Sequence, residues 1–206
     1  MISRHVTPAS TSAEPESSNG AVTPRLGVIA LVISLLATLA VVESAAGVGG
    51  FGDVAPEQFY TRPVQWMVDS EITTGTARGC FSPHDPVTRG QTAAFIWRME
   101  GEPAPERAHD FHDVVDSWQQ DPVSWLSSEG ITTGVAPSSF SPHRVLTRGE
   151  MAALLWRLAG SPAASTHPFT DVVQSWQQGP VSWMSGLGIT TGTSPTTFSP
   201  EDELTR

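Results

Sequence analysis

The sequence predicts a mainly α fold built of tandem helix–loop–helix units, preceded by a disordered N-terminus and one hydrophobic export helix. Two observations carry this. One motif series is written almost three times after Gly50, opening at Phe51-Gly52-Asp53-Val54, Phe111-His112-Asp113-Val114 and Phe169-Thr170-Asp171-Val172. Trp66, Trp125 and Trp183 follow, then Ile-Thr-Thr-Gly from Ile72, Ile131 and Ile189, Phe-Ser-Pro from Phe81, Phe140 and Phe198, and Thr-Arg from Thr88, Thr147 and Thr205. Such self-similarity marks supersecondary units that bury their apolar faces against one another. Within the second copy, Met151, Leu154, Leu155 and Leu158 fall at i, i+3, i+4 and i+7, which makes one apolar helical stripe.

Residues 1–24 are rich in Ser, Thr, Pro and Ala and carry too little apolar surface to offset ordering entropy, so disorder is expected there. Residues 25–46 hold Arg25, an uncharged apolar run over 26–42, and Ser44-Ala45-Ala46, whose small residues suit a signal-peptidase site. The run is slightly short for a bilayer span, while the polar stretch before it is long for a signal peptide. Export with cleavage before Gly47 is the favoured reading, and a retained signal anchor over 26–42 is the alternative. In both, Arg25 on the N-terminal side leaves the remainder of the chain outside.

The copies span 51–110, 111–168 and 169–206. A first helix is expected to start near Pro63, Pro122 or Pro180, because proline suits a first turn, with Asp121 as cap in the second copy. Val123 and Leu126 point one way from it, and Gly130 stops it. A loop of Thr, Ser, Gly and Pro follows, with room for a brief extended pairing around Ile131 and Phe140. The second helix opens at Thr88 or Thr147. In the first copy Gln91 completes a capping box, Phe95, Ile96 and Met99 follow at helical spacing, and Gly101 ends the run. In the second copy it covers 148–159, where Ala152 and Ala153 allow close helix–helix approach. The third copy reaches only Thr205-Arg206, the start of its second helix. It is therefore expected to be an incomplete unit of a truncated chain or fragment, loosely ordered, with the face of Val181 and Met184 left without a partner.

The formal charge is −10 and every one of the 11 basic residues is arginine. That balance argues against nucleic-acid binding, which needs a basic face to displace counterions. The single cysteine, Cys80, has no intrachain partner, and Ser139 and Thr197 take its place in the other copies. His84 and His143 occupy equivalent loop positions, but Glu201 replaces them in the third copy, which fits a solvated loop better than a metal site. No catalytic set, phosphate-cradling loop or EF-hand pattern is present, so no enzyme activity, cofactor or metal is expected.

The order Phe-x-Asp-Val, Trp, Gly-Ile-Thr-Thr-Gly, Phe-Ser-Pro, Thr-Arg-Gly-Glu/Gln resembles the S-layer homology (SLH) module, in the form seen in high-GC Gram-positive bacteria. The match covers nearly all of residues 51–206. The resemblance implies three helix–loop–helix units around a pseudo-threefold axis with ligand grooves between them. It also implies non-covalent anchoring of exported proteins to a cell-wall polysaccharide, often one bearing acidic pyruvyl ketals. In that family the arginine of the Thr-Arg-Ala-Glu motif contacts the acidic sugar, and it maps here to Arg89, Arg148 and Arg206. Gly90 and Gly149 stand where the family usually has alanine, which leaves room for a different ligand.

Physical chemistry bears on the same arginines. Arg89 and Arg148 occupy the first helical position, where the macrodipole disfavours a cation by a few tenths of a kcal/mol up to about 1. A helix N-terminus suits an anion, and a guanidinium adds a planar bidentate fork for a carboxylate. The glycine after it removes a side chain from the approach. Alternatively, Arg89 and Arg148 pair with Asp53, Asp113 or Asp171 of a neighbouring unit, and the two roles are compatible. Arg206, with no helix behind it, is expected to be a poor ligand group. The aspartates, with Thr88 and Thr147, are read as caps and pair-formers. Of the seven tryptophans, most are expected to pack between helices, and Trp66, Trp125 and Trp183 are the groove candidates, since indoles stack on sugar faces.

Three function classes remain. The favoured one is an exported wall-binding module that holds the chain at the cell surface by binding an acidic polysaccharide, pyruvylated where the resemblance extends to the ligand, with membrane contact only through the N-terminal segment. The others are a structural or adhesive surface protein whose repeats bind protein partners, and a fragment of a larger exported enzyme.

Overall fold

Thr88 and Thr147 begin their helices as expected. Each hydroxyl accepts from the backbone N–H three residues on, at 3.3 Å from Gln91 and 3.4 Å from Glu150. The Gln91 and Glu150 side chains reach back to the threonine N–H groups, both at 3.1 Å. A computed structural model describes residues 47–206. The expected disordered and export segments, 1–24 and 25–46, lie outside the described residues. Among the described residues no helix is long and apolar enough to cross a membrane.

The described residues form five α-helices and no strand beyond isolated bridges, so the fold is mainly α. In chain order they are α1 (Thr61–Asp69), α2 (Arg89–Met99), α3 (Ser117–Ser128), α4 (Arg148–Leu158) and α5 (Ser175–Gly186), after a 3-10 turn at Val48–Gly50. Pro63 does lie in the first turn of α1. Pro122 and Pro180 do not open their helices; α3 and α5 start earlier, at Ser117 and Ser175, and carry the prolines inside. Asp121 is consequently an exposed helical residue rather than a cap. Each internal proline removes one backbone bond. Tertiary packing offsets this: α3 and α5 bury Val123, Leu126 and Val181 completely, and Gln120 Nε2 donates to the Val114 carbonyl at 2.6 Å.

The loops are organised by the Phe-x-Asp-Val aspartates, which cap the Phe-Ser-Pro turn of their own unit. Asp53 accepts from the Phe81 and Ser82 N–H groups at 2.8 and 2.7 Å, and Asp171 from Phe198 and Ser199 at 2.9 and 2.7 Å. Asp113 does the same with Phe140 and Ser141, both at 2.8 Å, and takes a third bond from the Ser139 hydroxyl at 2.7 Å. The short antiparallel pairing in the loop falls at Ala136 and Ser139, not at Ile131 and Phe140.

Partial burial works to raise these three carboxyls, but the N–H donors, joined by the Ser139 hydroxyl at Asp113, outweigh it and hold all three below the usual value. A depressed folded-state pKa stabilises above the unfolded value and is lost as pH falls through the folded one. Melting temperature should therefore hold down to about pH 4 and fall steeply below it. Asp113→Asn should melt lower at neutral pH and show a flatter fall on acidification. An acid profile unchanged by that substitution would remove Asp113 from the explanation.

Between units the contacts run in a cycle. Val87 N–H donates to Leu204 O at 2.8 Å, Leu204 N–H to Leu146 O at 3.0 Å, and Leu146 N–H to Val87 O at 2.9 Å. The second helix of one unit covers the first helix of the next: α2 packs on α3 and α4 on α5. Ala93 and Ala152, both fully buried, allow that close approach. Among the described residues the Val48–Gly50 turn is the one helical element packed on α1, whose Val64 is buried with Phe51, Val54 and Phe81.

This order corrects the expectation for the third unit. Val181 is fully buried with Ala152, Phe169, Val172 and Phe198, and Met184 packs against them. The partner of α5 comes from the preceding unit. What stays open instead is the Ile-Thr-Thr-Gly isoleucine: Ile72 and Ile131 are 3% exposed but Ile189 is 52% exposed. In the first two units that isoleucine lies where Arg98 and Arg157, from the same unit's second helix, donate to its carbonyl, each at 3.2 Å.

Candidate ligand-binding site

The three Thr-Arg arginines take one geometry. Arg89 Nε donates to the Phe140 carbonyl at 2.8 Å, Arg148 Nε to Phe198 at 2.9 Å, and Arg206 Nε to Phe81 at 2.9 Å. Each guanidinium also lies over the ring of the same phenylalanine, at 4.8, 4.8 and 5.1 Å. Each arginine thus reaches the Phe-Ser-Pro turn of another unit, the third reaching back to the first. The aspartate expected as partner instead holds the N–H of that same phenylalanine, so Asp and Arg grip one residue from opposite sides without an ion pair between them. Arg206 is half-buried in this arrangement and also faces the Phe95 ring at 5.1 Å.

Beside two of these arginines the surface opens into equivalent clefts. One, of about 350 Å³, is lined by the Thr132-Thr133-Gly134 loop, Arg89, Arg144, Glu150, Arg157 and Trp176. The other, of about 330 Å³, is lined by Thr73-Thr74-Gly75, Gln91, Phe95, Arg98, Trp118 and Arg206. In both, one unit supplies the loop and the floor helix, the preceding unit in the cycle supplies the Thr-Arg arginine, and the following unit supplies an indole. At Arg148 the same contacts to Phe198 are made.

The tryptophans of the clefts are therefore Trp118 and Trp176, 46% and 44% exposed. Trp125 is buried in the core with Val123 and Leu126, Trp183 is half-buried, and Trp66 is exposed on α1 beside a separate apolar groove. Trp97 and Trp156 pack, donating to the Pro103 and Pro162 carbonyls at 2.8 and 2.9 Å. The signal for Trp118 and Trp176 was present in the Ser-Trp-Gln-Gln repeat. Reading proline as a helix start placed that segment outside the first helix and hid it.

Electrostatically the clefts are cationic. Burial pulls the Arg89 guanidinium below its usual value, with Glu150 acting in the other direction; it remains charged. Arg206 is likewise lowered by burial, against the raising effect of Asp85 and Asp53. Gly90 and Gly149 serve packing and not ligand approach. A Cβ at Gly90 would lie 2.5 Å from Gln119 Nε2 and 3.1 Å from Pro142 O, and one at Gly149 2.9 Å from Gln177 Nε2 and 3.1 Å from Pro200 O.

Fold and clefts together define a tandem-repeat module with arginine-lined clefts beside two of its unit junctions. The sequence profile described as "S-layer homology domain" matches residues 50–93, 110–152 and 168–206, more than half of the chain, and the chain belongs to that family. Among similar proteins, the surface-layer 125 kDa protein of Lysinibacillus sphaericus is 29% identical over 86% of this chain and 15% of its own length. An endoglucanase of Bacillus sp. (strain KSM-635) is 30% identical over 63% of this chain and 14% of its own. The S-layer protein of Bacillus thuringiensis subsp. finitimus is 24% identical over 87% of this chain and 23% of its own. The chain thus spans less than a quarter of the length of these relatives.

Proposed function

We propose that the three units close about a pseudo-threefold axis and that the clefts between them bind an acidic cell-wall polysaccharide, attaching an exported chain to the cell surface. The observation that carries this is the recurrence of one chemistry at two successive junctions. A Thr-Thr-Gly loop, an arginine from one neighbour and a half-exposed indole from the other converge on a cleft of sugar size. Guanidinium groups hold a carboxylate by a bidentate fork, and an indole offers a face for the pyranose ring. Pyruvyl ketals supply a carboxylate on an otherwise neutral sugar and fit that pairing. Shared sequence with relatives named as S-layer proteins and as an endoglucanase supports an attachment module that serves different cargo. Segment 26–42 supplies export in this reading, as a signal peptide or an anchor.

The test is retention of the protein on purified wall polysaccharide, before and after chemical removal of its acidic substituents. Binding to the intact polymer, loss on removal, and loss in the Trp118→Ala/Trp176→Ala variant with an unchanged melting temperature are expected. Equal retention on both polymers would overturn the acidic-sugar reading. Retention of the folded double variant would move binding away from these clefts.

A further inference from the structure

The two clefts share a loop, a floor helix, an arginine and an indole, but they differ at the third residue of the floor helix. It is Glu150 in one and Gln91 in the other. Both side chains spend one oxygen on the capping box: Glu150 Oε2 accepts from Thr147 N–H and Gln91 Oε1 from Thr88 N–H, each at 3.1 Å. The consequences for the second terminal atom are opposite. Glu150 Oε1 is a carboxylate oxygen and accepts from Arg89 Nη1 at 3.3 Å and from Arg144 Nη2. Gln91 Nε2 is an amide nitrogen and has nothing to offer a guanidinium.

Arg89 is accordingly committed. Its side chain is 6% exposed, its Nε goes to Phe140 O, and its outer edge is held by a carboxylate that is itself 18% exposed. Arg206 has the same inner bond to Phe81 O, and its Nη2 donates to the Thr73 hydroxyl at 3.4 Å. Among the described residues it makes no ion pair. Asp85 lies close enough to act on its charge but outside pairing distance.

We propose that Glu150 is an internal stand-in for the ligand carboxylate, so that the Arg89 cleft is self-occupied and the Arg206 cleft, where Gln91 leaves the guanidinium unpaired, is the primary site for an acidic sugar. The specificity-determining position is thus the third residue of the floor helix. This rests on the reading of the clefts as carboxylate-sugar sites. A ligand entering the Arg89 cleft must displace Glu150 from two arginines, whereas one entering the Arg206 cleft meets a guanidinium with no carboxylate on it. The net charge of the lining does not decide the matter, because Arg144 offsets Glu150; what differs is whether the guanidinium edge is already taken.

The capping box itself supplies conservative variants, since glutamine and glutamate both satisfy it in this chain. Gln91→Glu should place a carboxylate on Arg206, and Glu150→Gln should free Arg89, without loss of either cap. The probe is a methyl hexoside bearing a 4,6-pyruvyl ketal, with the 4,6-isopropylidene ketal as its neutral counterpart. Occupancy is read separately for each cleft from the ¹H–¹⁵N indole signals of Trp118 and Trp176. In the native chain the Trp118 signal should titrate at a concentration about tenfold or more below that of Trp176, the scale of one charge-assisted hydrogen bond. Gln91→Glu should abolish that lead, Glu150→Gln should bring Trp176 to the Trp118 concentration, and the neutral sugar should do neither. Both signals titrating together in the native chain, or Gln91→Glu titrating like the native chain, would overturn the inequality of the clefts while leaving the carboxylate-sugar reading intact. Silence of both indoles in all three proteins, each checked to be folded by its melting curve, would overturn that reading and the inference with it.

Discussion

Arg89→Ala should destabilise the protein by about 3–5 kcal/mol, the cost of removing one partner from a buried charged pair. The loss has three parts. The Phe140 carbonyl loses its donor, the Phe140 ring loses the guanidinium stacked on it, and Glu150 keeps only Arg144. Because the bond to Phe140 joins two units, the variant should also broaden the unfolding transition. Arg89→Lys retains the charge but neither the planar stack nor the Nε bond, so it should recover less than half of the loss. Denaturant unfolding of the three proteins measures this directly. A loss below about 1 kcal/mol in Arg89→Ala, the scale of an exposed ion pair, would show that Arg89 does not hold the units together.

The second large effect concerns α1. Helix α2 covers α3 and α4 covers α5, while among the described residues no α-helix covers α1. Beside it lies an apolar groove of about 310 Å³ lined by Trp66, Met67, Phe95, Met99, Met151 and Leu155. Appending residues 149–160 after Arg206 continues the Thr-Arg-Gly-Glu order and supplies a helix with the composition of α4. By the cyclic rule it should lie on α1 as α2 lies on α3, and it should also cover Ile189. A net gain of about 2–3 kcal/mol would raise the melting temperature by about 5–10 °C in a chain of this size. Hydrogen exchange of the α1 amides should slow in parallel. Equal melting temperatures and equal α1 protection in the two chains would show that the groove does not accept such a helix.

Sequence alone determined the units and the second helices of the first two, because each rests on local chemistry. It marks the aspartates only as caps and pair-formers, since the turns they hold lie 27–29 residues away. The capping box at Thr88 and Gln91 needs only residues three apart, and the stop at Gly101 needs only a backbone free to adopt positive φ. It also singled out Arg89 and Arg148, since a cation at a helix start conflicts with the local dipole and so points to a nonlocal partner. That partner was not legible. A backbone carbonyl leaves no mark in a sequence, and Phe140 O, Phe198 O and Phe81 O are where the three arginines go. The starts of α3 and α5 were missed for a related reason. Proline's preference for a first turn is a local rule, overridden where α3 and α5 bury Val123, Leu126 and Val181, and Gln119 and Gln177 with them, against neighbouring units. The same burial explains Gly90 and Gly149, whose missing side chains make room for those glutamines. Which helix covers which, and hence why Val181 is buried while Ile189 is not, depends on contacts between units and was decided only by the tertiary structure. A repeat written in sequence fixes what each unit contains, but an apolar stripe specifies that something must cover it and not which copy provides the cover.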